Sequence, residues 1–211
     1  MHRAHHSPNH HATAFWAALL EATRAVARWG LWVGGSLMVI VAIMIGLDIT
    51  LRVSFNESID GTVEITQFAL AISSTWALAG ALLDRAHIRV DTAYARFPGA
   101  IRVVLDLLGL IAFFIVFALI FYFGLNLVME SWLNASRSES ALQIPMVIPQ
   151  VLWLIGIAFF LMSDLVLFVI AVRLILLGHT NTARDLIGMK TAEEEVQDEL
   201  DLGLEVHVKK G

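Results

Sequence analysis

The chain has no cysteine. Disulfides, thiolate nucleophiles and Cys-ligated metals are therefore excluded. Charge is missing from four long stretches: residues 29–47, 65–83, 107–129 and 140–163 contain no Asp, Glu, Lys or Arg. Histidine and lysine are absent from all four as well. Without a histidine in these stretches there is no haem b ligation by helix residues, and without a lysine there is no retinal-type Schiff base. The chain carries no phosphate loop and no HExxH. No Ser, His and Asp fall where they could share one site. These absences argue against an enzyme, and no cofactor or metal is expected.

What is present is apolar length. The charge-free stretches hold 19, 19, 23 and 24 residues, and a bilayer core of about 30 Å needs about 20 helical residues. Backbone in lipid must satisfy its own hydrogen bonds, so these stretches are expected to be helices. A composition of 58% hydrophobic and 16% charged residues agrees. The reading is an all-α membrane protein of four transmembrane helices. Its 211 residues leave no room for a second globular domain. The first span reads as a retained, uncleaved anchor, because no apolar core with a small-residue cleavage site precedes it.

The basic residues orient the spans. Arg3, Arg24 and Arg28 precede the first, and Arg85, Arg89, Arg96 and Arg102 lie in the loop after the second. Five more Lys and Arg follow from Arg173 onward. The first and third loops hold only Arg52 and Arg137. The positive-inside rule then places both termini and the second loop in the cytoplasm, with loops one and three outside. Trp29 and Trp32 would sit at the inner interface, and Trp132 and Trp153 near the outer one. Trp76, mid-span, reads as a packing residue.

Three regions follow along the chain. Residues 1–28 form a His-rich leader, read as a polar segment rather than a metal site, and an amphipathic helix over 14–28. Phe15, Trp16, Leu19, Leu20 and Val26 face one way, with Glu21, Arg24 and Arg28 opposite. This pattern predicts a helix lying on the inner leaflet; the alternative is a simple extension of the first span. Residues 29–177 form the four-helix domain. Gly30 and Gly34 at its start make a GxxxG spacing. In the second span Ala69, Ser73, Ala77 and Ala81 recur every four residues and predict a face buried against protein. The third helix is expected to start near Pro98 and run through Arg102 and Asp106. The fourth is expected to start near Ile148 and end at about Leu177. In the second loop, Arg85, Arg89 and Arg96 are suited to lipid phosphates. Residues 178–211 read as a charged, acidic cytoplasmic tail.

Asp164 is the single ionisable residue inside a predicted span, and an intramembrane carboxylate is a functional candidate by default. It can be a proton or cation site, or an interhelical polar contact near the inner face. The second reading is preferred, because a second acid, an unwound break and an inverted repeat are all missing.

Several landmarks occur in order. The first helix ends in Leu-Asp-Ile-Thr-Leu-Arg52-Val-Ser-Phe55, and the second is entered through Gly61-Thr-Val-Glu64. It leaves through Asp84-Arg-Ala-His87-Ile-Arg-Val-Asp91; Phe97-Pro98, Arg102 and an Ile-Pro145 segment follow. Over residues 30–177 this resembles the small permease (DctQ-like) subunit of tripartite ATP-independent periplasmic, or TRAP, transporters. Arg52, Glu64, His87 and Asp91 match the family pattern. The resemblance implies a multi-pass protein of the bacterial inner membrane. It implies two partners, besides membrane lipids: a large permease subunit carrying the solute and sodium sites, and a periplasmic solute-binding protein. The solute class it implies is an organic acid, such as a C4-dicarboxylate. Arg52 and Glu64 would brace the first loop or meet the binding protein. No nucleic-acid partner is expected. Two other readings remain open on the residues alone: a self-sufficient homo-oligomeric carrier or channel using Asp164, and a membrane anchor of a redox complex.

Overall fold

The computed structural model describes residues 9–84, 99–140, 142–178 and 186, the side chains of 9–15 and 99–100 excepted. Four helices account for nearly all of it: α1 (Asn9–Phe55), α2 (Thr62–Leu83), α3 (Gly99–Leu133) and α4 (Val147–Leu176). All four are long and apolar enough to cross a membrane. Apart from α2 they overrun the bilayer. At about 1.5 Å per residue, α1 is about 70 Å long, α3 about 52 Å and α4 about 45 Å, against a hydrocarbon core of about 30 Å.

The N-terminal amphipathic segment is helical, but it does not form a separate surface helix. It runs into the first span without a break, as the first part of a single 47-residue helix. Between the two arrangements open to the sequence, the structure shows the extension. The physical reason lies on one side of the segment. Ala27 and Thr23 are buried at 2% and 5% exposure, and Leu20 packs against a hydrophobic core that includes Leu82 and Leu83 of α2 and Leu167 of α4. The Arg173 guanidinium lies 5.5 Å from the centre of the Trp16 ring. The bundle itself thus holds this helix, and a turn into the membrane plane would give up those contacts.

The helices stand in a row rather than a square. α1 packs on α2, α2 on α4, and α4 on α3, while α1 and α4 touch only slightly. The two middle helices are the better buried, and α3, at one end of the row, is the least buried of the four spans.

Burial follows a seven-residue step. On α1 the buried positions include Ala27, Gly34, Val41 and Asp48; on α2, Thr62, Ala69 and Leu83; on α3, Val103, Leu110, Gly124 and Ser131; on α4, Ile157, Asp164 and Ala171. A heptad stripe keeps one narrow face turned to a neighbour along slightly supercoiled helices, the packing of most four-helix bundles. The α1–α2 seam is tight because of the GxxxG pair. A Cβ on Gly30 would stand 2.8 Å from the Trp76 carbonyl oxygen, and one on Gly34 would stand 3.1 Å from the Ser73 carbonyl oxygen. Ala69 and Ser73 of the small-residue face are buried, whereas Ala77 and Ala81 are half-buried. On the α3–α4 seam, Phe117 and Phe160 approach to 4.3 Å between ring centres, with Phe113 edge-on to Phe160 at 6.4 Å.

Trp76 joins three helices. Its indole N–H donates to the Leu152 carbonyl of α4 at 2.9 Å. The ring fits because α4 has glycine at 156, where a Cβ would stand 2.7 Å from the indole Cδ1.

Candidate functional site

Among the described residues, a network of polar contacts gathers at one end of the helices, where residues 56–61 join α1 to α2 and residues 134–146 join α3 to α4. Asp48 begins it. About two turns before the end of α1, it is 5% exposed and makes two contacts. Its Oδ1 accepts the Ile59 backbone N–H at 2.7 Å, and its Oδ2 accepts from the Arg52 guanidinium at 2.9 Å. Asp48 faces the loop because it is the last member of the α1 heptad stripe. The first contact ties the loop to the helix. The second holds Arg52, itself 64% exposed, along the rim.

The first loop reverses the chain in few residues. Asn56 (φ 54°) and Gly61 (φ 80°) take left-handed conformations, which glycine adopts without steric cost. A Cβ on Gly61 would also strike the Leu142 side chain, so this glycine is where the two loops meet. Thr62 donates through its hydroxyl to the Ile59 carbonyl at 2.8 Å, closing the entry to α2.

The second tie between the loops is Glu64. Its Oε2 accepts a hydrogen bond from the Ser140 hydroxyl, and its Oε1 is buried without a partner among the described residues. Ser140 sits in a folded loop. The Ser138 N–H donates to the Ile144 carbonyl and the Met146 N–H to the Ser136 carbonyl, both at 3.0 Å. Arg137 bridges to the Gln143 carbonyl at 3.2 Å. Left-handed Ala135 (φ 47°) and Gln143 (φ 45°) turn the chain at either end.

Together these contacts make one surface from two loops. They border an open groove of about 490 Å³, lined by Arg52, Asp60, Glu64, Gln67, Ser138 and Glu139 among others. Three acids and one arginine among those six give it an acidic cast. The described residues hold no group of three or more His, Asp or Glu arranged for a metal ion.

Of the sequence candidates, Arg52 and Glu64 both line this groove. Asp164 is far from it in sequence and lies in the α4 heptad stripe, 1% exposed, with Oδ1 unpartnered among the described residues. The adjacent Ser163 hydroxyl does not pair with it; it donates back to the Phe159 carbonyl at 2.9 Å. Arg85, His87, Arg89, Asp91 and Arg96 lie outside the described residues, as do the start of the leader and nearly all of the tail. Sequence reasoning missed Asp48, Ser140 and Leu142. Asp48 carried a signal in its spacing, seven residues after Val41 and four before Arg52. Ser140 and Leu142 carried none, since their partners lie far away in the chain.

A family model described as "Tripartite ATP-independent periplasmic transporters, DctQ component" matches residues 41–175. That range spans the C-terminal part of α1, all of α2 and α3, both loops of the groove and nearly all of α4. No match was found among curated proteins or among solved structures.

Proposed function

The chain belongs to the DctQ component family of TRAP transporters, and from that premise we propose that it is the non-catalytic scaffold subunit of such a transporter. In this reading it supports the large permease subunit in the membrane and helps a periplasmic solute-binding protein dock, so that an organic acid of the C4-dicarboxylate kind is taken up with a coupling ion. The observation that carries the docking role is the joined surface over Asp48, Arg52, Glu64 and Ser140. Two loops tied together at Glu64–Ser140 and Gly61–Leu142 present a fixed shape, and pre-ordered surfaces lose less entropy on binding.

The positive-inside bias supports placing this surface in the periplasm, with both termini in the cytoplasm of a bacterial inner membrane. Arg52 and Glu64 then act as braces of the rim. Arg85, Arg89 and Arg96 would anchor the opposite side to anionic headgroups, and His87 and Asp91 belong to that same cytoplasmic segment. The small-residue positions Ala69, Ser73, Ala77 and Ala81 serve helix packing. Asp164 serves as a buried polar contact rather than a coupling site.

The test is charge reversal at the rim. Arg52→Glu places a second carboxylate beside Asp48 and turns the one groove arginine acidic. Uptake driven by the binding protein should fall while the large subunit still co-purifies in its normal amount. Normal uptake with normal assembly would remove Arg52 from the docking surface.

A further inference from the structure

A side of α1 that borders α2 only at Leu31, which packs over Gly80, carries a feature the transporter reading does not use. Leu31, Trp32, Gly35, Ser36, Val39 and Ile40 line an apolar groove of about 600 Å³. Its floor is Gly35, where a Cβ would meet nothing within 4 Å. Its walls include Trp32, 76% exposed, Val39 and Ile40. From residue 31 to residue 40 the helix rises about 13.5 Å, close to the thickness of one leaflet of a 30 Å hydrocarbon core.

The groove opens toward positive charge. Arg28 lies three residues before Leu31 and four before Trp32, hence on the same helix face and about one turn beyond the groove's end. Arg24 lies one further turn along that face, and both arginines are exposed. Trp29, 72% exposed, flanks the junction, at the depth where indoles favour the headgroup boundary. Glu21 shares the face but stands about 10 Å beyond Arg28, past the reach of a phosphate held there. An acyl-length apolar channel ending in two arginines matches one ligand chemistry, a long hydrocarbon chain with an anionic head.

We propose that this face of α1 is a binding site for a single anionic phospholipid, with an acyl chain over Gly35 and the phosphate at Arg28 and Arg24. The site needs no partner subunit and stands whether or not the docking role does. The lipid fills the dent that Gly35 and Ser36 leave in the edge helix.

The experiment uses the full chain, purified in detergent with defined lipid and read by native mass spectrometry. Phosphatidylglycerol should stay bound in preference to phosphatidylcholine. Each arginine near a charged headgroup is worth about fivefold, so Arg24→Gln with Arg28→Gln should cut that preference about 25-fold. Gly35→Leu, whose Cβ enters open space, should lose both lipids. Gly46→Leu, on the same face but beyond the groove and equally open, should retain them. A benzophenone on Ser36→Cys, the chain's single thiol, should crosslink to lipid in native membranes. Equal retention of the two lipids, or unchanged retention by Gly35→Leu, overturns the proposal. So does a Ser36 crosslink to a large permease subunit or to a second copy of this chain in place of lipid.

Discussion

Asp48→Ala should release the first loop from α1, and the structure sets the size of the effect. The Ile59 N–H loses a carboxylate acceptor 2.7 Å away. A hydrogen bond to a charged group is worth about 1.5–3 kcal/mol, which corresponds to about ten- to hundredfold faster amide exchange if the loop opens locally. The Arg52 pair adds little, because its guanidinium is largely exposed and such pairs are worth under about 1 kcal/mol. Arg52→Gln should therefore accelerate exchange at Ile59 by less than about fivefold. Asp48→Asn keeps an acceptor oxygen and should fall between the two. The assay is hydrogen–deuterium exchange of the full chain in lipid nanodiscs, followed on peptides covering residues 56–62. Exchange unaltered by Asp48→Ala would refute the role of Asp48. Equal acceleration by Arg52→Gln would move the brace from the buried hydrogen bond to the surface ion pair.

The tight helix seam and the buried acid give two further tests. Gly30→Ala forces a Cβ to 2.8 Å from a backbone oxygen of α2 and should destabilise the folded chain in detergent by about 1–3 kcal/mol. Gly109→Ala, with open space around it, should be neutral or stabilising by up to about 1 kcal/mol; similar losses for both would break the link between close packing and the cost. Asp164→Asn keeps the shape of the side chain while removing its capacity for charge, and the assembled transporter should retain uptake. Abolished uptake with intact assembly would make Asp164 a coupling site instead.

The spans were legible because hydrocarbon excludes charge, but the charge-free runs mark where lipid ends and not where helix ends. The first run covers residues 29–47, whereas α1 extends through Arg24 and Arg28 on one side and Asp48 and Arg52 on the other. The amphipathic pattern over 14–28 was real. An apolar stripe next to basic residues suits a bilayer surface and neighbouring helices equally well, and here the segment packs against a core built from α2 and α4. On α2 the four-residue spacing of small side chains identified Ala69 and Ser73, but the packing step along these helices is seven. Reading the seven-step on α1 would have placed Asp48 on the inward face. The joined loops were not legible at all. Glu64 and Ser140 are 76 residues apart, and the second loop turns at left-handed Ala135 and Gln143, residue types that carry no strong turn signal.

The scaffold role is tested most directly by asking what this chain does alone and what it carries with it. Affinity purification from the native membrane in mild detergent, followed by reconstitution, answers both. The expected result is a large multi-span permease co-eluting at a fixed ratio, with uptake by that complex in the presence of a binding protein and none by the isolated chain. A lone chain that transports solute across liposome membranes would contradict the account.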